Sequence, residues 1–175
     1  MLKKIYQFLL LKKVFLVITI LILPIDIVNA TQSKELLHKP KGTLSITKDQ
    51  HVYQSPYSFD ETINRIENTL KEKGITIFAR LKFSEDAKKA GLTMADEELL
   101  IFGDPKAGTL LMQEDPTIGF ELPLKILVWR SKDTTNVGYI VPSMMAKRYA
   151  INKSQMIINK MNHLLENIVT TSLHS

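Results

Sequence analysis

One stretch, residues 99–130, places the tightest limits on the fold of this chain. It reads LLIFGDPKAGTLLMQEDPTIGFELPLKILVWR and holds three of the chain's seven glycines and three of its seven prolines. Two apolar runs, Leu99–Phe102 and Leu124–Trp129, flank a segment that these turn-forming residues interrupt. Short apolar runs bounded by Gly and Pro are typical of buried strands. The stretch therefore predicts two strands joined by a segment with specific backbone demands, where a site is most easily built.

The first thirty residues have the pattern of a secretory signal peptide. A positively charged start is formed by four lysines, Lys3, Lys4, Lys12 and Lys13. The uncharged apolar run Val14–Ile25 follows, and Val28-Asn29-Ala30 supplies small residues before a cleavage point. The run is shorter than the roughly 20 apolar residues that a membrane-spanning helix needs. We therefore expect cleavage near Ala30, a periplasmic or secreted protein, and no stable membrane span afterwards; an uncleaved anchor in the inner membrane is the alternative.

Charge and cysteine content argue against several classes of protein. The formal net charge is +5, and the leader contributes four lysines and one aspartate to it, which leaves the mature chain at +2. Because this small charge is spread along the chain, no basic patch is formed and nucleic acid is not an expected partner. The chain has no cysteine, which excludes a thiol nucleophile, an iron–sulfur cluster and a thiolate metal site. About 145 mature residues can still bury an adequate core without disulfides.

Periodicity along the mature chain predicts an α+β domain. Ser58 and Glu61 have the spacing of a capping box, which opens a helix that Gly74 ends. Ser84 is predicted to cap a short helix at 85–90, and a wide apolar stripe predicts the last helix. Strands are predicted at 43–53, 75–81, 99–102, 124–130 and 137–141, with a turn at 133–136 and helices at 142–149 and 154–170. The expected fold is an antiparallel sheet covered by helices on one face, in the main order strand, helix, four strands, helix.

Large apolar side chains in this part of the chain are predicted to belong to the core. Met156 and Met161 lie on the apolar stripe of the last helix, and Phe120 and Trp129 lie in or beside apolar strands. A methionine surface that handles Cu(I) is the alternative for an exported protein. The methionines show no short repeated spacing, so core packing is favoured.

The segment Gly103–Gly108 has the glycine spacing of a phosphate-binding loop. Thr109 and Leu110 stand where such a loop has Lys and Ser or Thr. We therefore predict a tight turn into a short helix, with Asp104 as its cap and the glycines at positive φ. The four histidines are His38, His51, His163 and His174. None lies close in sequence to another, so neither a metal site nor a cofactor is expected.

Polar side chains of the central stretch are the candidates for contact with a ligand. They are Asp104, Lys106, Thr109, Glu121 and Lys125. The sequence shows no nucleophile with a partnering base, so it favours a non-catalytic module that binds a small molecule or a protein partner or associates with itself. The alternative is an enzyme of undetermined type, in which Asp104 or Glu121 works beside Arg80 or Lys125 in a cleft.

The amino-acid sequence of the central stretch resembles that of the family known as domain of unknown function 302 (DUF302). LLIFGDPKAGTLLMQ and IGFELPLKILVW carry the resemblance. It extends back through SFDETINRIENTLKEKGITIFARL and forward to Tyr139–Pro142, so that it covers roughly residues 42–151. It implies a domain similar to the TATA-binding-protein-like fold and a homodimer, and it brings no established activity. Two positions depart from the sequence pattern of the family: Phe83, where relatives often have histidine, and Asp104, where they usually have asparagine. The expected organisation is a signal peptide at 1–30, a flexible lead-in at 31–42, the domain at 43–151 and a C-terminal helix at 152–175 that packs on it.

Overall fold

A computed structural model describes residues 47–174 of the chain. The predicted signal peptide, the lead-in and the first residues of the predicted first strand lie outside this range. In chain order the elements are β1 (Gln50–Ser55), α1 (Phe59–Glu72), β2 (Thr76–Lys82), α2 (Phe83–Lys89), β3 (Glu97–Gly103), α3 (Pro105–Glu114), a 3-10 helix (Pro116–Phe120), β4 (Leu124–Ser131), β5 (Thr134–Ile140), α4 (Pro142–Ala146) and α5 (Gln155–His174). The strands form one antiparallel sheet in the order β1-β5-β4-β3-β2.

Helices α1 and α5 cover one face of this sheet. Alternate residues of the central strands point towards them, as the two-residue period of a strand requires. The core is formed by Leu100, Phe102, Ile126, Val128 and Val137 of the sheet, Ile63, Ile66 and Leu70 of α1, and Ile158, Leu165 and Ile168 of α5. Burying one such side chain stabilises the fold by roughly 1.5–3 kcal/mol. The predicted class, an antiparallel sheet covered by helices on one face, is confirmed.

The opposite face of the sheet carries a second set of apolar side chains. Leu81 pairs with Leu99, and Leu99 pairs with Leu127, so the three leucines form a row across β2, β3 and β4. We define the open face as Val52, Leu81, Leu99, Ile101, Leu127 and Trp129. None of these six belongs to the core or packs against it. Trp129 was expected in the core and lies on this face instead, because it is out of phase with its buried neighbour Val128.

The two early helices differ in how they begin. The Ser58 hydroxyl accepts the N–H of Glu61 at 3.3 Å, so the predicted cap of α1 is confirmed. Helix α2 begins at Phe83 with no side-chain cap, and the predicted cap by Ser84 is wrong. Ser84 already lies inside the first turn, where its hydroxyl accepts the N–H of Glu97 at 3.5 Å.

The hairpin between β4 and β5 turns earlier than predicted. Ser131 pairs with Thr134, which leaves only Lys132 and Asp133 for the connection. Lys132 has a φ of 55°, in the left-handed region that two-residue hairpin turns demand. The residues predicted as a turn at 133–136 therefore belong mostly to β5.

The C-terminal helices differ from the prediction in length and in one buried side chain. Helix α4 ends at Ala146, before the predicted end at 149, while α5 continues past 170 to His174. The last turn of α5 docks on α1, because the Ser172 hydroxyl donates to Thr69 Oγ1 at 2.9 Å. Met161 is buried as predicted, whereas Met156 is 69% exposed. Five helical residues advance by roughly 140° beyond a full turn, which places the two methionines on different sides.

Candidate ligand-binding site

A cleft of about 500 Å³ opens between α3, the chain before β4 and the first half of α5. Most of its wall is apolar: Ile75, Phe78, Ala107, Leu110, Met112, Leu122, Pro123, Leu124, Ile157, Met161 and Leu164. The polar side chains of the wall are Asp104, Lys106, Thr109 and Lys160. This volume and this balance of groups lie within the range of small-molecule sites, which is about 300–1,000 Å³.

Helix α3 forms the first wall. Asp104 Oδ1 accepts the N–H of Lys106 at 2.9 Å, so the predicted cap is confirmed. Pro105 then occupies the first turn, where its missing N–H costs nothing. The prediction of positive φ for Gly103 and Gly108 is wrong, since among the described glycines only Gly74 and Gly91 have it. The helix begins at once after Asp104, and Gly108 is one of its interior residues.

Phe78 reaches the edge of the cleft through an irregularity in β2. The pairing of β2 with β3 shifts between Ile77 and Ala79, which leaves Phe78 as an extra residue. Phe78 is 49% exposed, and its Cε2 lies 3.5 Å from the position that a Cβ on Gly103 would take. Phe78 and Gly103 together form part of the cleft wall. The sequence pattern of this strand gave no sign of a bulge.

The end of α3 is tied to the start of α5 by carboxylates. Glu114 Oε2 accepts the N–H groups of Asn152 at 2.9 Å and Lys153 at 2.8 Å. Asp115 Oδ2 accepts the N–H of Ala150 at 3.1 Å. We call Glu114, Asp115 and residues 150–153 the carboxylate strap. It joins the two helices that face each other across the cleft.

Hydrogen bonds hold the pKa values of both strap carboxyls below their usual range. For Glu114 the Ser154 hydroxyl lowers the pKa most, followed by the N–H of Lys153. For Asp115 the Thr117 hydroxyl has the largest effect on the pKa, followed by the N–H of Ala150. Each donor stabilises the ionised form, so the strap is made of carboxylates at neutral pH.

Three of the five predicted contact residues line the cleft. They are Asp104, Lys106 and Thr109. The Thr109 hydroxyl donates to the carbonyl of Pro105 at 2.8 Å and so is used within its own helix. The sequence missed Phe78 and Lys160, which come from β2 and α5. Lys160 could have been found from the sequence, because it lies between Ile157 and Met161, two residues of the apolar stripe of the last helix.

Glu121 and Lys125 lie beside the cleft and support its wall. Lys125 Nζ donates to the carbonyls of Glu121 at 2.5 Å and Pro123 at 2.8 Å. Burial lowers the pKa of Lys125, and the charge of Glu121 opposes this shift. The Glu121 carboxylate itself accepts from Arg148 at 2.7 Å and from the Tyr149 hydroxyl at 3.1 Å. The lysine thus braces the turn that carries Leu122 and Pro123.

Arg80 belongs to a different part of the domain. Its Nε donates to Glu98 at 2.5 Å, and its guanidinium also reaches Glu67 at 3.1 Å. These contacts join the sheet to α1. Within residues 47–174 Arg80 forms its ion pairs with Glu67 and Glu98 and none with Asp104 or Glu121. One of the two basic partners that the enzyme alternative allowed, Arg80 or Lys125, is thus placed elsewhere. Phe120, predicted to be buried, ends the 3-10 helix and is 86% exposed.

Metal-binding clusters and membrane-spanning helices are both absent from residues 47–174. No cluster of three or more His, Asp or Glu residues stands close enough there to hold a metal ion. Over the same residues, no helix is both long and apolar enough to cross a bilayer.

An α+β domain with a five-stranded antiparallel sheet and an apolar cleft is the class of protein that this geometry defines. Residues 51–168 match the family described as "Domain of unknown function DUF302", and the chain belongs to that family. The crystal structure of an uncharacterized conserved protein DUF302 from Bacillus stearothermophilus has a similar fold. It superposes with a TM-score of 0.65 at 20% identity, covering 72% of this chain and 99% of that one.

Curated relatives of the chain carry the name of a channel. Fluoride-specific ion channel FluC 1 of Brucella suis biovar 1 is 34% identical over 133 residues, which are 74% of this chain and 52% of the relative. Fluoride-specific ion channel FluC 2 of Brucella melitensis biotype 1 is also 34% identical, over 74% of this chain and 48% of the relative. The chain therefore spans about half the length of the curated relatives it matches.

Proposed function

We propose that this domain is a non-catalytic binding module that takes a small, largely apolar molecule in the cleft. The cleft itself is the observation that supports this, since its volume and apolar wall suit such a molecule. Two of its four polar side chains are already engaged: the Asp104 carboxylate caps α3, and the Thr109 hydroxyl donates within that helix. General acid–base chemistry needs two groups that converge on one reacting atom.

The test is a titration with the neutral fluorescent probe N-phenyl-1-naphthylamine, whose emission rises in apolar surroundings. Phe78→Asp introduces a charge at the mouth of the cleft. Phe120→Asp makes the same change at an exposed phenylalanine that does not line the cleft. We expect saturable binding that Phe78→Asp weakens by on the order of tenfold or more and that Phe120→Asp leaves unchanged. Equal effects of the two variants, or no saturable binding, would contradict the proposal.

Self-association is a second candidate, and the open face favours it. The leucine row lies at its centre, and charges stand at its two ends: Glu97 pairs with Trp129, and Lys125 pairs with Ile101. A two-fold axis along the row would bring the Glu97 end of one copy over the Lys125 end of the other. A face of this kind is self-complementary, as a symmetric dimer requires. We propose that the partner on this face is a second copy of the chain.

Sedimentation velocity tests the dimer. Leu127→Asp places a charge in the middle of the open face and is expected to give a monomer. Met156→Asp makes the same kind of change on α5, away from this face, and is expected to leave the dimer intact. Circular dichroism verifies that both variants are folded. A wild-type chain that sediments as a monomer at tens of micromolar would contradict the proposal.

We further propose that the chain is exported and that its leader is removed. The charged start, the apolar run and the small residues before Thr31 support this. N-terminal sequencing of the protein recovered from the periplasm is expected to begin near Thr31. Recovery of an intact N-terminus in the membrane fraction would favour the anchored alternative instead.

The channel name of the longer relatives suggests a different ligand, which the cleft does not suit. Fluoride is a small, strongly hydrated anion, and an apolar wall cannot replace its water. We propose that this domain does not itself bind fluoride. Fluorine NMR of fluoride with the chain is expected to show no line broadening; a saturable effect would contradict this.

A further inference from the structure

Two lysines face the same cleft from its two helical walls. Lys106 belongs to the first turn of α3, and Lys160 belongs to α5. Both line the cleft and both are exposed. Within residues 47–174 neither forms an ion pair with a carboxylate.

Asp104 is the one carboxylate of the described wall. Its Oδ1 accepts a hydrogen bond from the backbone N–H of Lys106 at 2.9 Å, so the carboxylate caps the N-terminus of α3. The wall therefore combines one negative and two positive side chains with an apolar interior. A neutral ligand would form no charge-assisted hydrogen bond with the two lysines. A ligand with one anionic group would supply charge-assisted hydrogen bonds, which are stronger than neutral ones.

We infer that the ligand of this cleft is an amphipathic monoanion with a single apolar chain and a carboxylate head, in the manner of a fatty acid. The chain packs along the apolar wall that includes Leu110, Met112 and Met161, and Lys106 and Lys160 bind the carboxylate. A single negative charge matches the excess charge of the wall, whereas a doubly charged phosphate head would be repelled by Asp104. This inference rests on the proposed function and names its ligand class.

Displacement of N-phenyl-1-naphthylamine by ligands of equal chain length tests the head group. Decanoate, decanol, decyl phosphate and decyltrimethylammonium share the apolar chain and differ in charge, and each is kept below its micelle-forming concentration. Calorimetric titration of decanoate into the full chain measures the same affinity without the probe. We expect decanoate to bind more tightly than decanol by on the order of tenfold, and the ammonium compound to bind most weakly.

Double lysine variants test whether Lys106 and Lys160 bind the carboxylate of the ligand. The double variant Lys106→Gln with Lys160→Gln is expected to lower decanoate affinity by on the order of tenfold or more and to leave probe affinity unchanged. The matched control, Lys73→Gln with Lys88→Gln, removes the same charge from two exposed lysines outside the cleft. It is expected to leave both affinities unchanged.

The outcomes separate the two proposals. Probe binding with equal affinity for decanoate and decanol overturns the carboxylate inference and leaves the proposed function standing. Tightest binding of decyl phosphate overturns the choice of a monoanion. Equal losses of decanoate affinity in the two double variants overturn the role of Lys106 and Lys160. Absence of both probe binding and decanoate binding overturns the inference together with the proposed function.

Discussion

Glu114 accepts the backbone N–H of Lys153 at 2.8 Å, across 39 residues of sequence. The bond joins the last residue of α3 to the segment that opens α5. These two helices are the facing walls of the cleft, so their spacing depends on the carboxylate strap. The strap therefore helps to fix the width of the cleft.

Removal of the strap carboxylate is expected to loosen the cleft. Glu114→Ala leaves the N–H groups of Asn152 and Lys153 without their acceptor, so the melting temperature falls and the probe binds several-fold more weakly. Glu114→Gln keeps one acceptor oxygen, so its melting temperature and probe affinity are expected to lie between those of Glu114→Ala and the wild type. The control is Glu72→Ala, a change at an exposed glutamate in the last turn of α1. Differential scanning fluorimetry and the probe titration provide the measurements, and equal behaviour of the Glu114→Ala and Glu72→Ala variants would contradict the role of the strap.

The strap also predicts how stability depends on pH. The pKa values of Glu114 and Asp115 are lowered in the folded chain, so the unfolded chain binds protons more readily. Their contribution to stability is complete above the unfolded values, near pH 4 to 4.5, and is lost as the pH falls through the lower folded values. The free energy of unfolding is therefore expected to decrease below about pH 4.5. The double variant Glu114→Gln with Asp115→Asn should show a smaller decrease in this window; an unchanged pH dependence would refute the assignment.

Gly138 and Trp129 give a test of packing on the open face. A Cβ at Gly138 would lie 3.1 and 3.2 Å from two atoms of the indole and 3.4 Å from the carbonyl of His51. Gly138→Ala is thus expected to cost about 1–3 kcal/mol in the free energy of unfolding and to change the fluorescence of the chain's single tryptophan. At Gly103 the new Cβ would meet Phe78 at an ordinary 3.5 Å. Gly103→Ala should therefore change stability little in denaturant titrations, and a larger loss there than at Gly138 would contradict this account.

Local patterns in the sequence were enough to predict the main elements. The capping box at Ser58 and the apolar runs at Leu99 and Leu124 act over a few residues, and the structure places a helix and two strands there. The burial of single large side chains was harder to predict. Phe120 and Trp129 are apolar residues beside core strands, yet their burial depends on which face the sheet covers. That choice is made by tertiary packing.

The candidate site was predictable only in the part that is continuous in sequence. Asp104, Lys106 and Thr109 belong to one turn and the helix that follows it, and the residue types there indicate a specific backbone conformation. Phe78 arrives through a bulge, and Lys160 comes from a helix more than 50 residues away in sequence. The partner of Glu121 is Arg148 rather than Arg80, and such a long-range pairing cannot be seen in one sequence.

Methyl NMR of the methionines tests the central claim most directly. Met112 and Met161 line the cleft, whereas Met94 and Met156 lie outside it. With carbon-13 in the methionine methyl groups, addition of N-phenyl-1-naphthylamine is expected to shift the Met112 and Met161 signals in a saturable way. The Met94 and Met156 signals should stay in place. Unmoved signals for Met112 and Met161, or equal shifts for all four methionines, would contradict a ligand site in this cleft.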